Sequence, residues 1–489
     1  MQPEDQLIQQ RTEKLKALKE KGINPYPYKF DVKNNSSEII QKFKKLKKEQ
    51  KTNTKVKIAG RIIAFREMGK IAFGHIQDYS GKIQFLAREE TLKEKYSLLK
   101  KFDLGDIIGI EGTVFATKTG EITVWIKNFQ LLAKSLKPLP EKWHGLQDPE
   151  IRLRKRYLDL ITNPELKQLF IKKNIFWQSI REFLQKQCFV EVETPILESS
   201  AGGADAEPFI THYNTYNTDV YLRISTGELW QKRLMVAGFE KTFEIGRQFR
   251  NEGASMEHLQ DYTQMEFYWA YADYEQCMAL VEKMYKEVTK KVLGTLKFTT
   301  HGFNIDMNKK WPMIEYVKEI KKQVGIDILE SSEEQIQERL DELKIKYEQN
   351  LEKGRLMDLL WKHCRKNISG PCFLINHPVE VSPLAKRHRK DQRLTERFQI
   401  IIGGSELGNG YSELNDPIDQ ESRFKEQAKM REKGDKEAQM HDKDFVEALM
   451  YGMPPTAGFG LSERLFSYLI DKPIRECVLF PFMKPEPRA

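Results

Sequence analysis

The chain has 489 residues and is too long for one compact domain, because domains usually contain about 100–200 residues. Hydrophobic residues make up 40% and charged residues 31%, as in ordinary globular proteins, and no apolar run approaches the ~18 residues of a membrane-spanning helix. The formal net charge of +9 is modest, and five dispersed cysteines without a C-x-x-C pair argue against a disulfide framework or a structural zinc site. The N-terminus, MQPEDQLIQQ, is typical of neither a secretory signal nor a transit peptide, so we expect a cytoplasmic protein.

The first 54 residues are predicted to form a helical and basic N-terminal segment. A charged helix is predicted over residues 6–21, and Pro25 and Pro27 lie beyond its end. The lysine-rich stretch KFKKLKKEQKTNTK follows at residues 42–55. Such a run is either a solvated surface or an arm that contacts phosphate groups, because a phosphate contact requires only mobile positive charge.

Residues 55–137 show the pattern of a small β domain. Short stretches of alternating apolar and polar residues are separated by turn signals, with hairpins predicted at Ser80-Gly81 and Thr119-Gly120. A helix is predicted over residues 90–101, after the third strand. Five strands with one interrupting helix predict a Greek-key barrel of the oligonucleotide-binding type. A small β domain without that specialisation is the alternative.

The proline-bearing segment 138–150 is predicted to be a linker to a larger region, residues 151–489. In that region helices such as 166–187 alternate with strands, and a charged helical insertion is predicted at about 310–370. Turns and long excursions separate the strands, which favours an antiparallel sheet flanked by helices over a doubly wound parallel sheet. The predicted fold class is therefore α+β. The motif G-x-x-x-x-G-K-[ST] is absent, which excludes a Walker-type phosphate loop.

Arginines in two segments of the larger region are candidates for binding phosphate. In FEIGRQFRNEG (residues 243–253) a predicted strand ends at Arg250, and the returning strand carries Glu266. In GFGLSERLF (residues 458–466) two glycines allow a ligand to approach the backbone closely, and Arg464 begins a helix. A planar guanidinium group can bind phosphate through two parallel hydrogen bonds. Taken alone, a surface ion-pair ladder and an ordinary tight turn would also explain these segments.

A third segment, FQIIIGGSELGNGYSELNDP (residues 398–417), predicts a ligand pocket. It places Glu406, Asn409, Tyr411 and Glu413 within eight positions. The even spacing of the last three puts them on one face of a strand. Because an amide, a phenol and a carboxylate are costly to bury in an apolar core, we expect this face to line a binding site.

These segments resemble the signature motifs of class II aminoacyl-tRNA synthetases, and specifically of the lysyl-tRNA synthetases. The motif that resembles the first signature is FLQKQCFVEVETPIL (residues 183–197), and the two arginine segments resemble the second and third. Stretches similar to those of the lysine enzymes are GGADAEPFITHYN, LRISTGEL, SELNDP and PPTAGFG. The barrel resembles the family's anticodon-binding domain through MGKIAFGHIQD and GDIIGIEGTVFATKTGE. The resemblance covers residues 6–485.

The resemblance implies that lysine is activated by ATP to lysyl-adenylate and then transferred to the 3′-terminal adenosine of tRNA(Lys). It assigns catalysis to Arg250, at the α-phosphate and the lysine carboxylate, and to Arg464, at the γ-phosphate. The implied ATP-binding residues are Arg250, Glu252, His258, Tyr262, Glu406 and Arg464. ATP implies Mg²⁺, which the family usually holds with two glutamates seven residues apart. This chain has Glu406 at the second of those positions and Gln399 at the first.

The resemblance also implies a lysine pocket and an anticodon site. Glu228 and Glu413 are expected to hold the two ammonium ends of lysine, whereas an aspartate pocket would need cations there. The implied lysine-binding residues are Gly203, Ala204, Glu228, Glu266, Tyr268, Asn409, Tyr411 and Glu413. The implied anticodon-binding residues are Phe73, Gln84, Arg66 and Glu121. A homodimer is expected, because the first signature motif forms the two-fold interface in this class.

Other functions remain open at this point. The enzymes for aspartate and asparagine share the architecture, and lysyl transferases that act on a protein share the catalytic domain but lack the barrel. A purely RNA-binding protein would leave Arg250, Glu406 and Arg464 without a role. A class I synthetase is disfavoured, because neither His-x-Gly-His nor Lys-Met-Ser-Lys-Ser occurs.

Overall fold

The computed structural model describes residues 3–140, 146–253, 255, 257–348 and 351–486. The chain divides into an N-terminal unit, Met1–Pro164, and a C-terminal unit, Glu165–Ala489. Residues 141–145 of the predicted linker lie outside the described residues. Among the helices that are described, none combines the length and the apolar character that crossing a membrane requires.

The N-terminal unit contains the predicted five-stranded barrel. Its elements are α1 (Pro3–Glu20), α2 (Ser36–Phe43), β1 (Lys51–Met68), β2 (Ile71–Gln77), β3 (Lys82–Arg88), α3 (Glu89–Leu92), α4 (Glu94–Leu99), β4 (Ile107–Ala116), β5 (Ile122–Ala133), α5 (Pro149–Arg154) and α6 (Arg156–Thr162). The barrel closes in the order β1-β2-β3-β5-β4. Alternate residues such as Ile58, Ile76 and Val124 fill its interior with no exposed surface, as the period of two predicts.

The lysine-rich stretch 42–55 runs from the end of α2 into β1. All of its lysines are exposed. A solvated surface and a phosphate-contacting arm both require exposed lysines, so both alternatives remain predictions. The strand begins at Lys51, four residues before the predicted start of the barrel. Its backbone pairs with β4 from Lys51 onward, which extends the strand into the polar stretch.

The C-terminal unit is built around one eight-stranded sheet. The elements up to the middle of this unit are α7 (Leu166–Lys186), β6 (Val190–Glu191), β7 (Leu197–Glu198), β8 (Ile210–Tyr213), β9 (Thr218–Leu222), α8 (Glu228–Val236), β10 (Lys241–Phe249), β11 (Asp261–Ala270), α9 (Tyr274–Leu293), β12 (Lys297–Thr300) and β13 (Phe303–Asp306). Those that follow are β14 (Met313–Glu315), α10 (Tyr316–Val324), α11 (Glu333–Glu342), α12 (Lys353–Cys364), β15 (Cys372–Ile375), β16 (Arg397–Ile402), β17 (Ser405–Ser412), α13 (Pro417–Glu432), α14 (Lys443–Met450), β18 (Thr456–Ser462) and α15 (Arg464–Ile470).

The sheet has the order β14-β15-β16-β17-β18-β11-β10-β6 and is mixed. Its six central strands pair antiparallel, as predicted, but both edge pairs are parallel. Parallel pairing needs a long crossover, and each edge pair has one. The helices α10–α12 lie between β14 and β15, and the small sheet β7-β9-β8 and α8 lie between β6 and β10.

One face of this sheet is apolar and the other is polar. Helices α7 and α9 cover the apolar face, where their side chains pack with Phe243, Phe267, Phe398 and Phe459 of the strands. Because side chains alternate along a strand, the neighbours of these phenylalanines point to the opposite face. Those neighbours include Glu266, Tyr268 and Gln399, so the polar groups of the central strands gather on the face that the core does not use.

Candidate active site

A cavity of about 370 Å³ opens on the polar face of the sheet. Its volume lies in the range of small-molecule sites. It is lined by every residue predicted to bind ATP or lysine: Gly203, Ala204, Glu228, Arg250, Glu252, His258, Tyr262, Glu266, Tyr268, Glu406, Asn409, Tyr411, Glu413 and Arg464. The structure therefore brings together segments that lie up to 261 positions apart in the chain, although their individual roles remain predictions.

Glycines on the central strands make room for the cavity. In the register of β11 and β18, Glu266 lies opposite Gly460 and Tyr268 lies opposite Gly458. A Cβ atom on Gly458 would come within 2.0 Å of Glu413 Oε1 and 2.7 Å of the Tyr268 ring. Gly203 has a φ of +87°, and its Cβ would lie 2.9 Å from Glu228 Cβ. Larger residues at these two positions would collide with side chains that line the cavity, among them those of Glu228 and Glu413.

Three carboxylates stand at the end of the cavity near α8, and each is almost fully buried. Glu228 begins α8, Glu266 lies on β11, and Glu413 follows β17. Burial, and then the neighbouring Glu228, raise the pKa of Glu266 to about 7, and burial raises the pKa of Glu413 well above its ordinary value. Such clustered acids are unfavourable without a cationic partner, so the cluster is suited to binding ammonium groups.

Hydrogen bonds hold the carboxylates in place. Glu266 Oε1 accepts from the backbone N–H of Thr226 at 2.7 Å, and Oε2 accepts from the hydroxyl of Tyr268 at 3.1 Å. The hydroxyl of Tyr411 donates to Glu228. Burial raises the pKa of both tyrosines well above its ordinary value, so they remain neutral donors at the pocket wall.

The sequence predictions missed a cation in this cluster. Lys232 of α8 is fully buried, and its Nζ lies 2.8 Å from Glu228 Oε1 and 2.5 Å from Glu413 Oε2. Burial works against its charge, but the attraction of Glu228 and Glu413 outweighs it and raises the pKa of Lys232. The spacing of four residues from Glu228 was the available signal, because side chains four apart meet on a helix.

The two predicted catalytic arginines lie on different elements. Arg250 follows β10, its backbone N–H donates to Gln260 O at 2.8 Å, and its guanidinium carbon lies 5.8 Å from the centroid of the Tyr262 ring. Burial opposes its charge, but surrounding acidic groups, among them Tyr262 and Glu252, raise its pKa. The backbone thus fixes this arginine at the end of a strand with its side chain against an aromatic ring.

Arg464 begins α15 and contacts two residues that the sequence did not single out. Its Nη2 donates to Ser405 Oγ at 2.5 Å and to the carboxylate of Glu257. Burial raises the pKa of Glu257, but Arg464 and other neighbours outweigh it, and the net shift is downward. Nε of Arg464 has no hydrogen-bond partner within the described part of the chain. Two of its donor positions are thus held by protein groups, and a third faces no protein acceptor.

Both residues of the predicted metal pair line a groove that adjoins the cavity. Glu406 lines both the 370 Å³ cavity and an adjoining groove of about 980 Å³, whereas Gln399 lines only the groove. Gln399 is buried, and although its side chain interacts with the buried imidazole of His377, its Oε1 makes no hydrogen bond of regular geometry in the described residues. No group of three or more His, Cys, Asp or Glu side chains suited to a metal occurs among the residues described. Two oxygen donors are therefore available from the predicted pair, of which one is charged.

The predicted anticodon residues share one face of the barrel. Arg66 on β1 lies directly opposite Phe73 on β2. Gln84 donates to Glu121 Oε2 at 2.9 Å and accepts from Thr123 Oγ1 at 2.8 Å. His75, which the sequence predictions did not include, lies 2.8 Å from Glu121 Oε1, and its even spacing from Phe73 on β2 was the missed signal. A half-buried aromatic ring, amide and imidazole thus lie together with an exposed carboxylate.

Comparison with known proteins agrees with this arrangement. The model of the tRNA synthetase class II (D, K and N) family matches residues 148–484, and that of the OB-fold nucleic acid binding domain matches residues 56–138. The first match contains all of the cavity residues above, and the second contains the barrel face.

Relatives extend the similarity to nearly the whole chain. The chain is 47% identical over 482 residues to a lysine–tRNA ligase of Thermosipho africanus, which covers 98% of this chain and 96% of that protein. It is 47% identical over 483 residues to that of Thermotoga maritima, with the same coverage, and 47% identical over 486 residues to that of Carboxydothermus hydrogenoformans, with 98% of each chain covered. The chain belongs to the class II tRNA synthetases of the D, K and N group.

Proposed function

We propose that this protein is a lysine–tRNA ligase, which forms lysyl-adenylate from L-lysine and ATP and transfers the lysyl group to the 3′-terminal adenosine of tRNA(Lys). The observation that carries the proposal is the arrangement of three buried carboxylates and two arginines in one cavity. The carboxylates suit the two ammonium groups of lysine, and the arginines suit its carboxylate and the phosphates of ATP. The relatives named above bear the same activity in their names.

Activation of lysine needs positioning more than it needs a protein nucleophile. An oxygen of the lysine carboxylate attacks the α-phosphorus of ATP, the bond to the β-phosphate oxygen breaks, and pyrophosphate leaves. Arg250 is placed to hold the carboxylate and the α-phosphate together, and its permanent charge offsets the negative charge that develops there. Arg464 is suited to the distal phosphates, since its Nε is free of protein acceptors among the described residues.

Transfer to tRNA follows from the same site. The 3′-hydroxyl of the terminal adenosine attacks the carbonyl carbon of lysyl-adenylate, and AMP leaves with the electrons of the broken bond. Tyr262 is suited to stacking against adenine, and His258 lines the same cavity. Burial, followed by the charge of Arg464, lowers the pKa of His258, so its imidazole is neutral at physiological pH.

The residues present fit one Mg²⁺ ion held partly by substrate. Glu406 offers a carboxylate, and Gln399 offers a buried amide oxygen that makes no hydrogen bond of regular geometry within the described part of the chain. Mg²⁺ prefers six oxygen ligands and usually keeps several waters or phosphate oxygens, so two protein donors are sufficient. The ion would neutralise part of the triphosphate charge.

Exchange of pyrophosphate into ATP tests the proposed amino acid. Each of the twenty amino acids is supplied in turn, and we expect lysine to support exchange. Activation of aspartate or asparagine in preference to lysine would establish the alternative within the same family. The three buried carboxylates favour lysine, because an aspartate side chain would add a fourth negative charge to them.

Charging of RNA tests the second substrate. Purified protein is incubated with tRNA(Lys) and radioactive lysine, and we expect acid-precipitable product to form on the RNA. A protein-directed lysyl transferase would instead label protein, but the barrel with its polar and aromatic face favours RNA. Because tRNA charging occurs where ribosomes work, we place the enzyme in the cytoplasm.

The surface of the small sheet β7-β9-β8 supports a homodimer. It exposes apolar and aromatic side chains to an unusual degree, with exposed fractions of 52% for Leu197, 62% for Ile210 and 75% for Tyr216. Exposed apolar patches of this kind commonly mark an interface. A second copy of the chain is the proposed partner, and sedimentation velocity distinguishes a dimer from a monomer.

A further inference from the structure

Lys232 contacts two carboxylates of the amino-acid pocket but does not itself line the cavity. Glu228 and Glu413 line the cavity, whereas Lys232 does not, although its ammonium lies within 2.8 Å of both carboxylates. None of its side chain is accessible to solvent. Three aromatic rings surround the ammonium, with centroids at 5.9, 5.4 and 5.8 Å, and they belong to Tyr268, Tyr411 and Phe445.

The surroundings of Lys232 would accommodate an apolar residue. The neighbouring cluster includes Leu229, Phe424, Phe445 and Leu449, all buried. A buried ammonium loses its hydration and is stable only when carboxylates compensate for that loss, so packing alone does not explain a lysine here. The charge itself therefore requires an explanation.

Counting charges at this end of the cavity supplies one. In their ionised forms, which bound ammonium groups favour, Glu228, Glu266 and Glu413 contribute three negative charges and Lys232 one positive charge, which leaves a net charge of minus two. A lysine ligand carries two ammonium groups. The pocket and this ligand thus balance, whereas an amino acid with one ammonium would leave a buried negative charge without a partner.

We propose that Lys232 is a built-in counterion that sets the charge of the amino-acid pocket to minus two and thereby adapts it to an amino acid with two ammonium groups. This inference rests on the proposed function. Lys232 is a positioning residue, since it touches Glu228 and Glu413 and not the ligand. It lowers the pKa of Glu413 against the opposing effect of burial, so that lysine displaces fewer protons when it binds.

The groups that face Lys232 determine which pH dependence its replacement should change. They are Glu228 from α8, Glu266 and Tyr268 from β11, and Tyr411 and Glu413 from β17 and its end, while α14 contributes only the uncharged Phe445. Beyond them, Arg397 acts on Tyr411, and Asp273 and Glu413 both act on Cys277 of α9. The tyrosines and the thiol stay neutral near pH 7 because burial raises their pKa values well above the ordinary ones. Among the carboxylates, burial raises the pKa of Glu266 to about 7 and that of Glu413 well above its ordinary value.

The test is the pH dependence of the lysine KM in the Lys232→Met variant. ATP–pyrophosphate exchange is measured across about pH 6–9. Without the counterion the pKa of Glu413 rises further, so we expect the pH below which the lysine KM rises to move upward by about 1–3 units. At neutral pH this makes the lysine KM about tenfold higher or more than in the wild type, while the ATP KM is unchanged. An unshifted midpoint overturns the proposal.

Three further variants separate charge from packing. Lys286→Met removes a comparable helical pair, in which Nζ lies 2.6 Å from Glu282, and it should keep the wild-type profile. Lys232→Arg retains the positive charge. The pH midpoint of its lysine KM profile should therefore stay at the wild-type value, whatever the absolute KM. Should Lys232→Met not fold, Glu413→Gln with Lys232 intact leaves a pocket charge of minus one, and its midpoint should fall below that of the wild type. An unchanged midpoint there also overturns the proposal.

The outcomes for the two proposals are distinct. A wild-type protein that shows no lysine-dependent exchange refutes the proposed function. A wild-type protein that exchanges with lysine, together with an unshifted Lys232→Met profile, refutes only the role of Lys232.

Discussion

Replacing Gly458 by alanine should damage the amino-acid pocket selectively. The new Cβ atom would lie 2.0 Å from Glu413 Oε1 and 2.7 Å from the Tyr268 ring, far inside van der Waals contact. Glu413 cannot withdraw easily, because it is 1% exposed and paired with Lys232 at 2.5 Å. Tyr268 is 3% exposed and donates to Glu266. Both neighbours must therefore shift together, and the lysine-binding groups move with them.

The size of the expected increase in lysine KM follows from the free-energy cost of the added methyl group. Inserting one methyl group into a tightly packed site costs about 1–3 kcal/mol, which corresponds to a factor of about 5–150. We expect most of this cost to appear as a higher lysine KM in ATP–pyrophosphate exchange, with the ATP KM changed by less than about threefold. Gly460→Ala is the graded comparison, since its Cβ would lie 3.2 Å from Glu266 Cγ and requires only a small adjustment.

A normal lysine KM in a folded Gly458→Ala protein would contradict the reasoning. Folding is checked by the thermal unfolding midpoint, which we expect to fall by several degrees. Equal increases in the KM values for lysine and ATP would also count against it, because they would indicate general distortion of the cavity.

Three other predictions concern separate parts of the molecule. Arg250→Lys should fold but lose about 10²–10³-fold in exchange activity, because an ammonium cannot form the forked contact to the carboxylate and phosphate; near-normal exchange would remove Arg250 from the chemistry. Because the pKa of Glu266 is raised to about 7, its carboxyl gains a proton as the pH falls through 7. The wild-type lysine KM should therefore be constant above that pH and rise about tenfold per pH unit below it. A lysine KM that stays constant down to about pH 5 would contradict this. Phe73→Ala should raise the KM for tRNA(Lys) by about 5–150-fold through lost base stacking, while exchange without tRNA stays normal; an unchanged tRNA KM would exclude Phe73 from the interface.

The barrel was accessible from sequence because its signals are local. Alternating residues and two hairpin turns define strands between neighbours in the chain, and the five predicted strands are the five observed. The catalytic sheet was harder to predict at its edges. Strands β6 and β14 each pair parallel to a strand beyond a long crossover, and two- and three-residue strands leave no period to recognise.

The cavity residues were found through motifs, and the residues that hold them were not. Lys232 pairs with Glu413 from 181 positions away, and Glu257 pairs with Arg464 from 207 positions away. Such pairs have no spacing rule, since the fold alone brings them together. Gln399 shows a different limit, because its motif placed it beside Glu406, and only the structure shows that the two residues share a groove adjoining the cavity.

Along strand β17, substitutions that affect stability should alternate, residue by residue, with substitutions that affect substrate binding. Added Cβ atoms on Gly408 and Gly410 would meet Phe459 and Phe398 of the apolar core at 2.6 Å and 2.8 Å, whereas Asn409 and Tyr411 line the cavity. A scan of substitutions along this strand should therefore alternate, with one position lowering the melting temperature and the next changing substrate affinity. Adjacent residues of this strand are thus constrained by different properties, one by stability and the next by substrate binding. Tolerance of substitution at one position therefore does not predict tolerance at the next.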